Sequence, residues 1–293
     1  MQLATLLING LESLCVRVSD GLVPIDWINR ECEKSWPANL PDLIASGGLD
    51  TLAEWFRRNG RERLEDAAEA SIPFIEATYA PLYRTTGKIW GIGLNYVAHA
   101  ADLSEKAPTV YPASFIKPAT TVIGHRDAIE IPLISEKTTA EAELGIIIGR
   151  RCKDVARDRW LEVVAGYTTI IDMTAEDILR QNPRYLTLSK SFDTFFSFGP
   201  FFVTPDEVAD VNSLCVATLI NGRIHAENVV SNMTFPPDHL VAFHSSIMTL
   251  LPGDIISTGT PGAVHIQDGD EVMCRITGFD PLQNRVVDLK RQG

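Results

Sequence analysis

Residues 141–149 read Glu-Ala-Glu-Leu-Gly-Ile-Ile-Ile-Gly, and no other run constrains the fold as strongly. In an extended strand, residues i and i+2 point to the same face. From Leu144 onward the apolar side chains fall on both faces, which predicts an interior strand covered on both sides. Glu141 and Glu143 lie at the mouth of that strand and project to one face, where their charges repel unless a cation or proton intervenes. Taken alone, such an acidic pair also fits the wet face of an edge strand. The apolar run that follows weighs against this, because a buried carboxylate pair without a cation is costly. A second apolar run, 165–171, ends at Asp172 and delivers a third carboxylate. Three oxygen ligands with open positions suit a hard cation, Mg²⁺ first, with Mn²⁺ and Ca²⁺ as competitors.

The rest of the chain is organised around short strands. Residues 3–8 and 14–18 flank Asn9-Gly10, the signature of a β-hairpin. Helical spacing follows at 42–45 and, after Gly47-Gly48, at 49–58. The acidic and then Pro-bearing stretch 61–85 is expected to be a linker. It separates a small N-terminal α+β domain, 1–85, from a larger domain, 86–293. Strands are expected at 89–94, 114–117, 143–148, 165–171, 200–203, 254–257 and 270–276. A second Asn-Gly hairpin is expected over 216–224, and a helix over 237–251. Irregularly spaced strands with few helices predict a β-rich α+β fold rather than a doubly wound sheet.

Composition narrows the function. With 26 basic and 38 acidic residues the formal charge is −12, which argues against nucleic acid as partner. No apolar run approaches the roughly 20 residues that span a bilayer, and the N-terminus lacks a basic leader pattern, so a cytoplasmic protein is expected. The five cysteines (15, 32, 152, 215, 274) are scattered and odd in number, pointing to free thiols rather than a disulfide framework.

Six segments together resemble the fumarylacetoacetate hydrolase family. They are Gly91-Ile-Gly-Leu-Asn-Tyr-Val-Ala-His99, Phe115-Ile-Lys-Pro118, Glu141-Ala-Glu-Leu-Gly145, Gly166-Tyr-Thr through Asp172-Met-Thr-Ala175, Ser189-Lys-Ser-Phe-Asp193 with Gly199-Pro200, and residues 251–261. They occur in the family's order and cover about residues 89 to 275. The resemblance implies a mixed β-roll with Mg²⁺ on Glu141, Glu143 and Asp172, and a homodimer or higher homo-oligomer. It also implies a general base at His99, oriented by Asp102 where members often have Glu, or by Glu105. Lys190 matches a lysine that faces substrate oxygens, Thr260 matches a substrate-carboxylate contact, and Lys117 and Arg180 are further expected substrate contacts. His125, His225, His239, His244 and His265 match no motif and are expected to be structural.

The chain departs from the pattern after the metal aspartate. Many members read Asn-Asp-x-x-Ala-Arg-Asp-x-Gln, whereas here Ile171, Glu176 and Leu179 replace the Asn, Arg and Gln. Each lost oxyanion donor typically costs a few kcal/mol of transition-state stabilisation. Arg180, Gln181 and Arg184 follow at once and could donate from a shifted frame. The family implies a small anionic dicarbonyl substrate from aromatic or sugar acid catabolism. The preferred expectation is a metal-dependent hydrolase cleaving a C–C bond in an acylpyruvate-like 2,4-dioxo acid. Decarboxylation or isomerisation of an oxaloacetate-like 2-oxo acid needs the same stabilised enolate and stays open. So does a catalytically dead member that only binds metal.

Overall fold

The computed structural model describes residues 1–97 and 107–292. Its centre is an antiparallel pair, β9 (Thr138–Ile148) and β10 (Val164–Ala175), both rich in β-branched residues and buried almost throughout. The pair runs in unbroken register from Gly166↔Ile147 to Ala175↔Thr138. β9 stops at Ile148 as the apolar run suggested but starts earlier, and β10 runs on past its apolar run. Asp172 does not end its strand, which continues for three more residues. Glu141 and Glu143 lie inside β9, which begins at Thr138, rather than at its mouth. Thr and Ala at these ends carry too little apolar signal to be read as strand, yet they pair fully.

On one side of this pair β12 (Phe202–Val203) leads to β1 (Gln2–Ile8), β2 (Leu11–Arg17), β3 (Gly21–Pro24) and β4 (Ile72–Pro73). On the other side lie β15 (Ile255–Ser257), β5 (Ile89–Gly93) and the outer β6 (Ala113–Lys117). Three short strands, β7 (Val122–Ile123), β11 (Phe196–Phe198) and β16 (Val264–His265), attach beside them. A second sheet has the order β14 (Arg223–Val229), β13 (Cys215–Ile220), β17 (Glu271–Ile276), β18 (Leu282–Asp288), β8 (Ala128–Ile131). This is the strand-rich α+β fold expected from the sequence.

The second sheet packs on one face of β9. Ala140, Ala142, Leu144, Ile146 and Ile148 share a buried cluster with Val216, Val272, Cys274 and Leu282. The intervening positions, Glu141 and Glu143 among them, therefore point away from the second sheet. Farther along that same face Ile147 joins another cluster, with Ile170, Phe196 and Leu3. That cluster also takes in Ile28, Leu43 and Leu52 from the helices α1 (Ile25–Glu31), α2 (Leu40–Ala45) and α3 (Gly48–Trp55).

Both Asn-Gly hairpins form as expected. Asn9 and Gly10 have φ of 51° and 81°, and Asn221 and Gly222 have 51° and 76°, the left-handed pairs that a two-residue turn needs. The stretch 61–85 is not the loose linker expected. It holds α4 (Arg61–Glu65), pairs β4 to β3, and buries Leu64, Leu82 and Tyr83. The strand β1 in turn pairs with β12, Leu3 opposite Phe202, so the N-terminal hairpin extends the same sheet. All five cysteines are free. Among the described residues no helix is long and apolar enough to cross a membrane.

Candidate metal and substrate site

The register of the central pair places Asp172 directly opposite Glu141, with Glu143 two residues along the same face. One oxygen from each of the three carboxylates lies within 4.8 Å of the others. Glu143 and Asp172 are each only 1% exposed. The expected triad is therefore brought together, and by strand pairing alone.

Each carboxylate has its own support. Glu143 accepts hydrogen bonds from Ser257 Oγ at 2.5 Å and from the Gly259 amide at 2.8 Å. Gly259 has φ of +97°, and a Cβ there would sit 2.7 Å from Asn95 Cβ and 2.9 Å from the Ile92 carbonyl. Only glycine brings this amide to Glu143. Asp172 is held by the ammonium groups of Lys117 and Lys190. Lys190 ends α6 (Leu186–Lys190), just after α5 (Glu176–Gln181), and reaches Glu141 Oε2 at 3.2 Å. Its ammonium also lies 4.6 Å from the Phe115 ring centroid.

The electrostatics follow from this crowding. Burial first, then the charges of Asp172 and Glu141, push the Glu143 carboxyl up to about 8. Burial acts the same way on Asp172, but its two lysines outweigh it and hold that carboxyl below its ordinary value. Burial pushes Lys117 down to about 8 despite its contact with Asp172. For Lys190 the carboxylates overcome burial and raise its pKa. With Glu143 ionised, as a cation ligand must be, three carboxylates would face two ammonium groups with one negative charge in excess, and the raised Glu143 carboxyl is the group that holds a proton in its place. Lys190, lying against Glu141 and Asp172, already does part of what a bound cation would do. The all-oxygen donor set and this excess charge fit a hard divalent cation.

The other expected site residues are distributed unevenly. Lys117 lies beneath Asp172, 2% exposed, and donates also to the Met173 carbonyl at 3.0 Å. It is thus placed to fix Asp172. Thr260 is buried, its hydroxyl exchanging hydrogen bonds at 3.2 Å with the Gly262 amide and carbonyl of its own loop. Arg180 is engaged by Glu176. Asn95 pins the entry to the expected base segment, donating to the Phe235 and Thr258 carbonyls. His99, Asp102 and Glu105 lie outside the described residues. Ser257 and Gly259 were missed as supporters of Glu143, although Ser257 ends a short apolar run two residues before that glycine.

A buried carboxylate triad clamped by two lysines on an antiparallel pair is a donor set that could hold a hard cation in a strand-rich fold. Residues 88–287 match the family model for the fumarylacetoacetate (FAA) hydrolase C-terminal domain, and the chain belongs to that family. An uncharacterized protein of Methanocaldococcus jannaschii is 42% identical over 202 residues, covering 69% of this chain and 83% of that one. The fold is similar to the maleylpyruvate hydrolase of Sphingobium sp. SYK-6, solved in complex with manganese(II) ion and pyruvate. That match has a TM-score of 0.78 and 29% identity, covering 98% of this chain and 99% of that one. It is similar as well to a 5-carboxymethyl-2-hydroxymuconate delta-isomerase of Mycobacterium smegmatis, with TM-score 0.75, 28% identity and coverage of 98% and 99%.

Proposed function

We propose that the protein is a divalent-metal-dependent hydrolase that cleaves a carbon–carbon bond in a small acylpyruvate-like 2,4-dioxo acid. The observation that carries this is the convergence of three carboxylates beside two buried lysines. A similar fold, moreover, was solved with manganese and pyruvate. Glu141, Glu143 and Asp172 would hold the cation, Mg²⁺ or Mn²⁺, which when bound supplies a template and Lewis acidity toward substrate oxygens. Ser257 and the Gly259 amide keep Glu143 oriented, and Lys117 keeps Asp172 ionised. Lys190 sets a fixed positive charge where negative charge grows on the substrate, the kind of preorganisation that lowers barriers most. His99, by the family resemblance, takes a proton from water, which adds to the 4-carbonyl. The C3–C4 bond then breaks, its electron pair leaving as the enolate of pyruvate and later taking a proton at C3.

One observation favours a second reading. At position 176, where many members have an arginine, this chain has a buried carboxylate paired with Lys137 and Arg180. Decarboxylation or isomerisation of a 2-oxo acid forms the same enolate without an attacking water, and it depends less on donors to a tetrahedral oxyanion. A release assay on Mg²⁺-loaded protein separates the two. Acetylpyruvate and oxaloacetate are supplied separately, and pyruvate, acetate and CO₂ are followed by NMR. Pyruvate and acetate from acetylpyruvate, lost with EDTA and regained with Mg²⁺, is the expected result. CO₂ from oxaloacetate alone would replace the hydrolase with a decarboxylase. One-to-one metal binding with no turnover of either acid would mean a site that binds but does not react.

A further inference from the structure

An ammonium group has three N–H donors, and at Lys190 carboxylates account for two of them. Its Nζ pairs with Asp172 Oδ2 and with Glu141 Oε2. It meets no third oxygen acceptor among the described residues, and lies instead over the Phe115 ring, 4.6 Å from the centroid. Lys190 is 5% and Phe115 9% exposed, so the contact is largely shielded from water. Under those conditions an aromatic face holds a cation most strongly.

Strand pairing sets the ring in this place. Phe115 and Lys117 are two apart on β6 and reach the same cluster, one beneath Lys190 and the other against Asp172. Across the pair, Phe115 stands opposite Gly91 on β5. A Cβ on Gly91 would run into the ring atoms Cε2 and Cζ. The ring therefore lies across bare glycine backbone, which leaves it room to sit flat beneath the ammonium. Lys190 needs such a support, because it is the last residue of a five-residue helix and carries its charge on a flexible four-carbon stem.

The chemistry of the site favours a ring over another acid here. A carboxylate in its place would hold the ammonium as firmly, but would set a further negative charge beside a developing enolate and offer the cation a competing ligand. The ring attracts the ammonium through its quadrupole and adds no charge. We propose that Phe115 is a positioning residue, an uncharged platform that fixes the Lys190 ammonium where negative charge grows on the substrate. This rests on the reading of Lys190 as the positive charge beside a pyruvate-type enolate.

Replacing Phe115 by mono-, di- and trifluorophenylalanine keeps the shape of the ring nearly constant while draining negative charge from its face step by step. Calorimetry on Mn²⁺-loaded protein reads the effect without turnover. Oxalate, a planar dianion that resembles the pyruvate enolate, should lose affinity in that order, by about tenfold in the trifluoro protein. Pyruvate affinity should change by less than about twofold, and kcat for acetylpyruvate should fall with oxalate affinity while KM holds. Oxalate affinity that stays flat across the series, or that falls no more than pyruvate affinity, overturns the platform and leaves Phe115 a packing residue. A flat kcat in a protein that turns acetylpyruvate over does the same. A stepwise loss of oxalate affinity with no turnover by wild type keeps the platform and overturns the hydrolase. Failure of oxalate to bind wild type overturns the reading of Lys190, and the platform with it. Phe115→Leu, which removes the ring, should match or exceed the trifluoro loss; should that variant not fold, the fluorinated series carries the test.

Discussion

At the scale of single residues, the site was legible where its chemistry is local to a strand. Two glutamates two apart must share a face once the following apolar run makes the strand interior, and Asp172 announced itself at the close of another such run. Its lysine partners were harder to read, because nothing in Phe-Ile-Lys-Pro says that the lysine is buried beneath a carboxylate 55 residues away. Replacing Glu143 by Gln removes a ligand charge but keeps its hydrogen bonds. The variant should bind Mn²⁺ at least about 100-fold more weakly, a loss within the range of outer- and inner-shell ligand changes, while circular dichroism stays native. Unchanged affinity in a titration would remove Glu143 from the metal set. Lys117→Met strands a buried carboxylate on a single partner. Breaking such a buried pair should cost about 3 kcal/mol in urea unfolding with EDTA present, and a loss below about 1 kcal/mol would show that the clamp is dispensable.

At the scale of elements, local turn chemistry was readable and non-local pairing was not. Asn9-Gly10 and Asn221-Gly222 specify their hairpins because two consecutive left-handed residues leave few alternatives. The strand β18, by contrast, reads Leu-Gln-Asn-Arg-Val-Val-Asp, and its polar half hides a strand that exists by pairing in parallel with β8. The five-residue helix that delivers Lys190 is too short to show helical periodicity. The loop after β15 makes the sharpest prediction at this scale. Gly259→Ala adds a methyl group at positive φ against Asn95 and the Ile92 carbonyl. It should withdraw one donor from Glu143, lower thermal stability by several degrees and weaken Mn²⁺ binding together. A variant with native melting temperature and native metal affinity would show that the loop accommodates the change without cost.

For the whole molecule, the fold class followed from strand-rich patterning, but the joining of its parts did not. The stretch 61–85 looks like a linker because its acidic and Pro-bearing composition resembles one, whereas its few apolar residues are those that dock. Stability should depend on pH through a junction of this kind. His125 is buried, its Nδ1 accepting from the Gln283 amide on β18 at 3.2 Å, with its ring edge-on to Tyr79. Burial first, and then Arg126, push its pKa from 6.5 down to about 4. The unfolded chain therefore takes up a proton near pH 6.5 that the folded chain refuses until near pH 4. This residue leaves stability unaffected above pH 6.5 and lowers it progressively down to pH 4, by about 3 kcal/mol at most. Urea titrations across that window should be flatter for His125→Asn, which keeps an acceptor for the Gln283 amide. An equal slope in both proteins would place the acid sensitivity elsewhere.

The pairing of β9 with β15 also governs how the chain is made. As synthesis proceeds from the N-terminus, β9 and β10 emerge as neighbours and pair early. The other edge of β9, at Gly145, Ile146 and Ile147, waits for residues 255–257, more than a hundred positions later. Until then an apolar strand edge stays open in the growing chain, the kind of surface that recruits other strands. Nascent chains stalled before residues 255–257 have left the ribosome should therefore aggregate or engage chaperones, and elongation far enough to free β15 should relieve this by closing that edge.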